Sequence, residues 1–536
     1  MTRDIRLSLV AAALLQVAAA VAQTSELGRN LWTAQQNNEL WNVKYNSANP
    51  TRISSNRERN AAFARADYTL TRGDFHAIDQ SGRQNELNVY FGGLKQLKKV
   101  DLYGSLRYDN QQAKDRAWKS TYGLEPTNPF TIADSIAGKS TTEAFQLEAL
   151  ASYTINERWK MGLGIDIHNA SFSDQIDPRP KVNTTVIPVT LGTDWQVSSP
   201  LSLGLAVGVR FYNSDMSYTR VNNRVGHQFF LMKGMGDNMS LSSNSEASYR
   251  RDYHGFAYQA ALQAAWHRPE GRWHDFLQLQ AERGTQDATD GGSSYTFKGG
   301  DYAYTRLGIQ DRLQFQPNDK RLHQWTIAAS MLQGEGTWYD QKRITDTEHN
   351  NRVDYTVLGK TKAHKPSLMT GDISYRLHFL NEQTTRLSVG ANVGMEHAST
   401  KHLTDAGTRK QSYTRAHVQV DARDEIALRR GRLNLALGAG LWMPVGDKKF
   451  ATATEATAAG TLITRDYVNP LFAYETAQFY RVAALVDYCL PLHHGKLGLG
   501  LYGKVRCDIY GDDATYTDIY TSTTLTTMQV GVYLKF

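Results

Sequence analysis

About eighteen stretches of alternating apolar and polar residues, joined in turn by short and long connections, constrain this chain more than any other feature. A side-chain period of two is the mark of a strand with one face away from water. Leu201, Leu203, Leu205, Val207, Val209 and Phe211 alternate with Ser202, Gly204, Ala206, Gly208 and Arg210. Leu433, Leu435, Leu437, Ala439 and Leu441 alternate with Asn434, Ala436, Gly438 and Gly440. Between such stretches, tight turns (Asn156-Glu157, Ser198-Ser199-Pro200, Pro269-Glu270-Gly271) alternate with longer loops without exception. A soluble sandwich has no reason to alternate loop length so strictly. A membrane barrel does, because short turns face the periplasm and long loops face outside. The pattern predicts an all-β fold: a transmembrane antiparallel β-barrel of about 18 strands over residues 60–536.

The first predicted strand is Ala61 to Thr71 and the last is Leu525 to Phe536, where the chain stops. In that last strand Met528, Val530, Val532, Leu534 and Phe536 share one face. An aromatic carboxy-terminal residue closing such a strand resembles the terminal strand of bacterial outer-membrane barrels. The resemblance makes Val532, Leu534 and Phe536 the expected signal for the barrel assembly machinery. Mean hydropathy is −0.50, and no stretch after residue 22 approaches the roughly 20 apolar residues of a spanning helix. Neither fact opposes a barrel, whose polar lumen positions dilute the hydropathy of its strands. The 28 tyrosines suit interfacial girdles, where an amphipathic ring belongs.

Arg3 and Arg6 precede an apolar run from Leu7 to Val21 and an Ala20-Val21-Ala22 site, so residues 1–22 read as a signal peptide cut before Gln23. No cysteine follows the cut to carry a lipid. Residues 23–59 are polar, with Leu31, Trp32, Leu40, Trp41 and Tyr45 spaced through them. This segment is too short for the plug domain of a TonB-dependent transporter. It lies in the periplasm or tucks into the lumen, where the Gly and Ala positions facing Leu and Val would leave it room. Cys489 and Cys507 fall on opposite strand faces and read as free thiols. A net charge of +7 without a binding motif excludes nucleic acid and suits anionic lipid and lipopolysaccharide headgroups.

The loop between Asn213 and His254 holds an unusual apolar run containing Phe229, Phe230, Leu231, Met232 and Met235. Such a run needs a cover. It folds into the barrel mouth as a constriction, docks a partner or ligand, or packs against neighbouring loops. Methionine mostly fills space, so Met232, Met235 and Met239 predict no copper site, and no metal or cofactor is expected. Arg210, Arg306, Arg376 and Lys504 fall on the lumen face of their strands. His397 and Ser399 share a lipid-facing parity, and outer-membrane phospholipase A carries a His-x-Ser pair there. Here the Asn-Gly that follows the Ser in that family is missing. His493-His494 lacks a neighbouring carboxylate or cysteine, and Asp512 and Asp513 read as surface charge. No catalytic residue is expected.

The leader, the aromatic terminal strand, the Tyr-rich alternation and the stretch Asn128-Pro129-Phe130-Thr131-Ile132-Ala133-Asp134-Ser135-Ile136 together resemble outer-membrane barrels of the Bacteroidota that are often encoded beside TonB-dependent transporters. That resemblance implies a TonB-dependent transporter or a surface lipoprotein as partner. The expected function is non-enzymatic and transport-related, as a channel or an accessory subunit of an uptake complex. The alternative is an outer-membrane lipid hydrolase acting through Ser399.

Overall fold

In the computed structural model, the described residues are 39–536, apart from 41, 43, 57–59, 119, 220–227, 243–247, 269–270, 292–294, 348–351, 382–383, 451–457, 493–496 and 512–522. Residues 1–22, read from the sequence as a signal peptide, residues 23–38, the His493-His494 turn and Asp512-Asp513 lie outside them.

Eighteen antiparallel strands close into a barrel. In chain order they begin with β1 (Asn60–Gly73), β2 (Arg83–Gln96) and β3 (Val100–Arg116). A short loop strand, β4 (Ile132–Asp134), precedes β5 (Gly138–Thr154), β6 (Trp159–Asp174), β7 (Pro180–Gln196) and β8 (Leu201–Thr219). Two more loop strands, β9 (Gln228–Gly234) and β10 (Asp237–Ser242), separate these from β11 (Ser248–His267) and β12 (Trp273–Asp290). The longest strands follow: β13 (Phe297–Asn318), β14 (Arg321–Asp346), β15 (Arg352–Asn381), β16 (Thr384–Thr404) and β17 (Gly407–Leu428). Then come β18 (Gly431–Pro444), the two-residue β19 (Lys449–Phe450), β20 (Phe479–Leu492), β21 (Leu497–Tyr510) and β22 (Thr524–Lys535). β22 pairs with β1 from Leu525↔Gly73 to Lys535↔Phe63, which removes both sheet edges. Phe536 completes the seam, exchanging backbone hydrogen bonds with Ala62 at 2.8 and 3.2 Å.

The outer wall is apolar. Leu191 (56%), Leu262 (59%), Ile373 (59%), Leu437 (67%), Leu501 (61%) and Val530 (60%) stand bare around the circumference. A soluble protein could not leave so continuous a band in water. On β8 the band runs from Leu201 to Phe211, roughly 33 Å of strand at 3.3 Å per residue. At a tilt near 40° that is about 25 Å along the membrane normal, the expected height. Beside the short turns, Trp159 stacks on Trp195 at 5.4 Å and Trp273 on Phe315 at 4.3 Å, an aromatic edge at the headgroups.

Two sequence expectations change here. Many tyrosines leave the girdles: Tyr212, Tyr218, Tyr249, Tyr253, Tyr302 and Tyr533 point inward and are buried. A buried tyrosine needs a hydrogen-bond partner, and the barrel interior supplies carbonyls and carboxylates. The strands also outrun their predicted limits. β14 and β15 stay paired out to Asp346↔Arg352, well beyond their alternating apolar stretches. Above the membrane both faces of a strand meet water or polar loops, so the hydrophobic period vanishes while the hydrogen-bond ladder continues.

Residues 42 and 44–56 tuck into the lumen at the short-turn end, not the periplasm. Asn49 donates to Thr193 O at 2.8 Å and caps a 3₁₀ turn, Pro50–Ser55, by accepting from Thr51 N–H at 3.1 Å. Lys44 pairs with Asp194 at 2.6 Å, and Arg312 donates to Glu39 O at 2.9 Å. Lumen glycines make the room. A Cβ on Gly192 would lie 2.0 Å from Asn49 Oδ1, and one on Gly162 2.8 Å from Thr51 N. Gly192→Leu is therefore expected to expel this segment while the barrel still folds. Trypsin should then cut at Arg52 in the purified variant, and continued protection of Arg52 would refute the packing argument.

Candidate functional site

The outer mouth is filled by the barrel's own loops. β4, β9 and β10 form a small antiparallel sheet, with Ile132↔Leu231, Ala133↔Phe230 and Asp134↔Phe229 in register. Period two splits its apolar residues between two covers. Phe229 and Leu231 pack on the barrel wall, where the Phe229 ring stacks on Tyr218 at 5.3 Å. Phe230 and Met232 pack on Trp118, Ile463 and Val468. Phe229, Phe230, Leu231 and Met232 are all under 5% exposed. They are covered by this chain itself, so they offer no free apolar surface to a partner. The β9–β10 turn holds Gly234, Met235 and Gly236 at positive φ. Arg409 donates to Met235 O, and Asp237 meets His402 at 3.1 Å.

Ile463 and Val468 belong to a helical segment, Ala458–Ile463, Thr464–Val468 and Asn469–Glu475, which the strand reading passed over as loop. Its signal was there: Ile463, Tyr467, Val468, Leu471 and Phe472 recur at helical spacing.

The segment 120–136, which contains the Asn128-Pro129-Phe130 stretch, straps the sheet to the wall. Arg251 and Asp290 form a fully buried ion pair, Nε to Oδ1 at 2.6 Å and Nη2 to Oδ2 at 2.8 Å. Phe130 O accepts from Tyr253 Oη at 2.9 Å and from Arg251 Nη1 at 3.3 Å. Its ring fills the space over Gly300 (φ +123°), where a Cβ would come within 2.4 Å. Further along, Glu125 takes two bonds from Arg306 at 2.9 and 3.0 Å, and its N–H donates to Gln286 at 2.9 Å. Tyr212 and Tyr218 donate to the carbonyls of Tyr122 and Ile132.

Within this strap, burial pushes the Asp134 carboxyl up to about 7, helped by the nearby Asp174 and opposed by the Ile136 N–H. A carboxyl whose folded pKa is raised binds its proton more tightly docked than free. Docking is then strongest below the ordinary carboxylate range and weakens as pH rises from about 4 to 7, by on the order of 4 kcal/mol at most. Protease protection of residues 120–136 should fall across that window and be flat above it. Asp134→Asn should abolish the dependence; an unchanged profile would refute it.

Beneath the mouth the inward residues are polar. Arg210 bonds Glu282 at 2.7 Å on the face opposite Leu205 and Val207. Arg306 bridges Glu125 and Glu282. Arg376 clamps Asp421 through two bonds at 2.6 and 2.8 Å, and Lys504 lies 5.6 Å from the Tyr502 ring. Arg376 and Lys504 line a chamber of about 620 Å³ against β17, β18, β20, β21 and β22. Sequence reasoning missed Arg423, Arg481 and Arg506 in the same chamber, although their parity with lumen glycines was readable. On the outside, His397 Nδ1 sits 2.9 Å from Thr414 Oγ1, a hydroxyl that does not polarise the imidazole as a carboxylate would. Val532 is lipid-exposed, and Leu534 and Phe536 are half-buried at the seam. Cys489 faces inward opposite Gly500, and both thiols are free. Among the described residues no three His, Cys, Asp or Glu side chains converge to hold a metal ion.

A closed antiparallel barrel with a bare apolar belt, aromatic edges and a polar interior is an integral β-barrel of the bacterial outer membrane. The class says nothing of a cargo. The chain belongs to DUF6850, a family of unknown function, whose profile matches residues 50–536. No curated protein matches it. Among solved structures it is similar to the RagAB peptide transporter, with 8% identity over 90% of this chain and 87% of that one, TM-score 0.45. It is also similar to BauA, the ferric preacinetobactin receptor of Acinetobacter baumannii, at 9% over 89% and 80%, TM-score 0.38. A Pseudomonas aeruginosa FadL homologue gives 11% over 96% and 97%, TM-score 0.33. At these values the likeness stops at the barrel.

Proposed function

We propose that this protein is a loop-gated conduit of the outer membrane: a non-enzymatic barrel that carries a small polar solute when its mouth sheet moves aside. One observation carries the reading. A barrel of eighteen strands is roughly 35 Å across at its backbone, wide enough for a water-filled lumen. Its outer end is filled by a folded sheet, and a polar chamber lies beneath. A purely structural barrel has no use for a chamber under a removable cover. Single-channel recording in planar bilayers tests this. The full chain should show a closed baseline with rare openings, made more frequent by mild urea, which weakens apolar packing. A barrel that stays silent with its mouth sheet deleted, though correctly inserted, would end the reading.

A second reading, an accessory subunit docked on another outer-membrane protein, is favoured by the protruding β14–β15 hairpin. Ile344 (46%), Val357 (42%) and Leu358 (68%) are bare there, beyond the membrane-crossing part of the strands. Purification from native membranes in gentle detergent separates the readings. A TonB-dependent transporter or surface lipoprotein at stoichiometric yield would favour the subunit, and a barrel eluting alone the conduit. Lipid hydrolysis lost in Ser399→Ala would overturn both.

A further inference from the structure

Where β15, β16 and β17 leave the membrane, their outer face changes chemistry level by level. Directly opposite residues of antiparallel strands share a face, and the register of these three strands is unbroken here. Within the apolar belt Ile373, Val393 and Val418 form one level, and all three are bare. Two levels higher stand Met369, His397 and Thr414. Ser367, Ser399 and Ser412 form the next level outward, and Lys365, Lys401 and Lys410 the one after. All three lysines are exposed. Lys449 of β19 pairs with Ser412 and adds a fourth ammonium just below the lysine row. Four residues separate Met369 from Lys365, which is about 10 Å along the membrane normal for a strand tilted near 40°. From that height a lysine reaches down into the headgroup layer.

Three lysines directly opposite one another weaken a sheet, because like charges at strand spacing repel. Solubility alone would be served as well by interleaved carboxylates. Glu335 of the neighbouring β14 is taken by Lys362 at 2.6 Å. Asp405, in the β16–β17 turn, and Asp447, between β18 and β19, are exposed. Among the described residues no carboxylate lies within ion-pair distance of Lys365, Lys401, Lys410 or Lys449. The outer two lysines of the row are two strand spacings apart, roughly 10 Å. Their ammonium groups therefore lie within reach of one headgroup, and a lysine binds phosphate as a point charge. The patch is also continuous with the lipid-facing wall. Apolar, then hydroxyl, then cationic is the order in which a phosphorylated lipid presents its acyl chains, its sugar or glycerol and its charge.

We infer that the outer wall of β15–β17 holds a phosphorylated glycolipid of the outer leaflet, its phosphates on the lysine row and its acyl chains on the bare wall below. The site is independent of the conduit reading, since nothing in it faces the lumen. Native mass spectrometry of the purified full-length barrel, incubated in neutral detergent with lipid A bearing two phosphates, tests it. One retained lipid A per barrel is expected, with weaker retention of the monophosphorylated form. Lys365→Gln/Lys401→Gln/Lys410→Gln should cut retention about tenfold or more, and Lys401→Gln alone about fivefold should the triple variant fail to fold. Lys95→Gln/Lys98→Gln/Lys99→Gln removes the same charge at the β2–β3 turn, on the opposite side of the membrane, and should retain lipid A as the parent does. Absence of retained lipid A in the parent, unchanged retention in the folded row variants, or an equal loss in both triple variants overturns the inference. Displacement of the lipid by inorganic phosphate would reduce the row to a free-anion site and overturn it too. So would an acidic protein that co-elutes through the same lysines while no lipid is retained.

Discussion

Deleting the mouth hairpin, residues 228–242, is expected to raise single-channel conductance at least tenfold over the parent. Phe229, Phe230, Leu231 and Met232 are all buried on docking. At about 2 kcal/mol per buried apolar side chain they contribute on the order of 8 kcal/mol before the ordering cost of the loop is subtracted. Even a residual of about 3 kcal/mol keeps the mouth closed more than nine-tenths of the time, since 1.4 kcal/mol is tenfold. Without the hairpin, Trp118 and the helical segment 458–475 lose their apolar partner and cannot reseal the opening. The barrel wall should survive, because β8 and β11 pair along their own length from Thr219↔Ser248 to Leu201↔Trp266. A heat-modifiable band on a gel shows that it has folded. An inserted, folded deletion variant with parental conductance would mean that the hairpin does not close the path.

Arg251→Met is the second large effect. Both members of the Arg251–Asp290 pair are fully buried, so removing one leaves an uncompensated charge. That typically costs about 3–5 kcal/mol, well above the worth of a surface pair. The loss falls on the strap, because Arg251 and Tyr253 both serve Phe130 O and Tyr249 serves Asp290 at 2.6 Å. Hydrogen exchange in residues 120–136 and 228–234 should accelerate, while exchange at the β1–β22 seam stays as in the parent. Arg251→Met/Asp290→Leu should recover a large part of the loss, since two apolar side chains leave no buried charge behind. Equal exchange in single and double variants would show that the pair does not act as a unit.

The sequence by itself determined the barrel. A period-two pattern needs a wall with lipid on one side and polar contents on the other, and alternating loop lengths need a membrane with two unlike sides. Both are local and additive along the chain, so eighteen strands and their order could be read without any contact being known. Free Cys489 and Cys507 follow from the same parity, and so does the inward placement of Arg423, Arg481 and Arg506. What only the tertiary structure decided is the content of the lumen. Glycines at 162 and 192 showed that room existed, but not that Asn49 and Pro50 would take it. The apolar run at 229–232 demanded a cover, but Tyr218 and Trp118, which supply it, stand 11 and 111 residues before its first residue. The tyrosines had two apolar–polar interfaces to choose from, the headgroups and the interior of the mouth, and their ring chemistry fits both. Strand periodicity records which side of the wall a residue faces; what meets it there depends on closure, which brings β1 to β22 and places loops distant in sequence inside one ring.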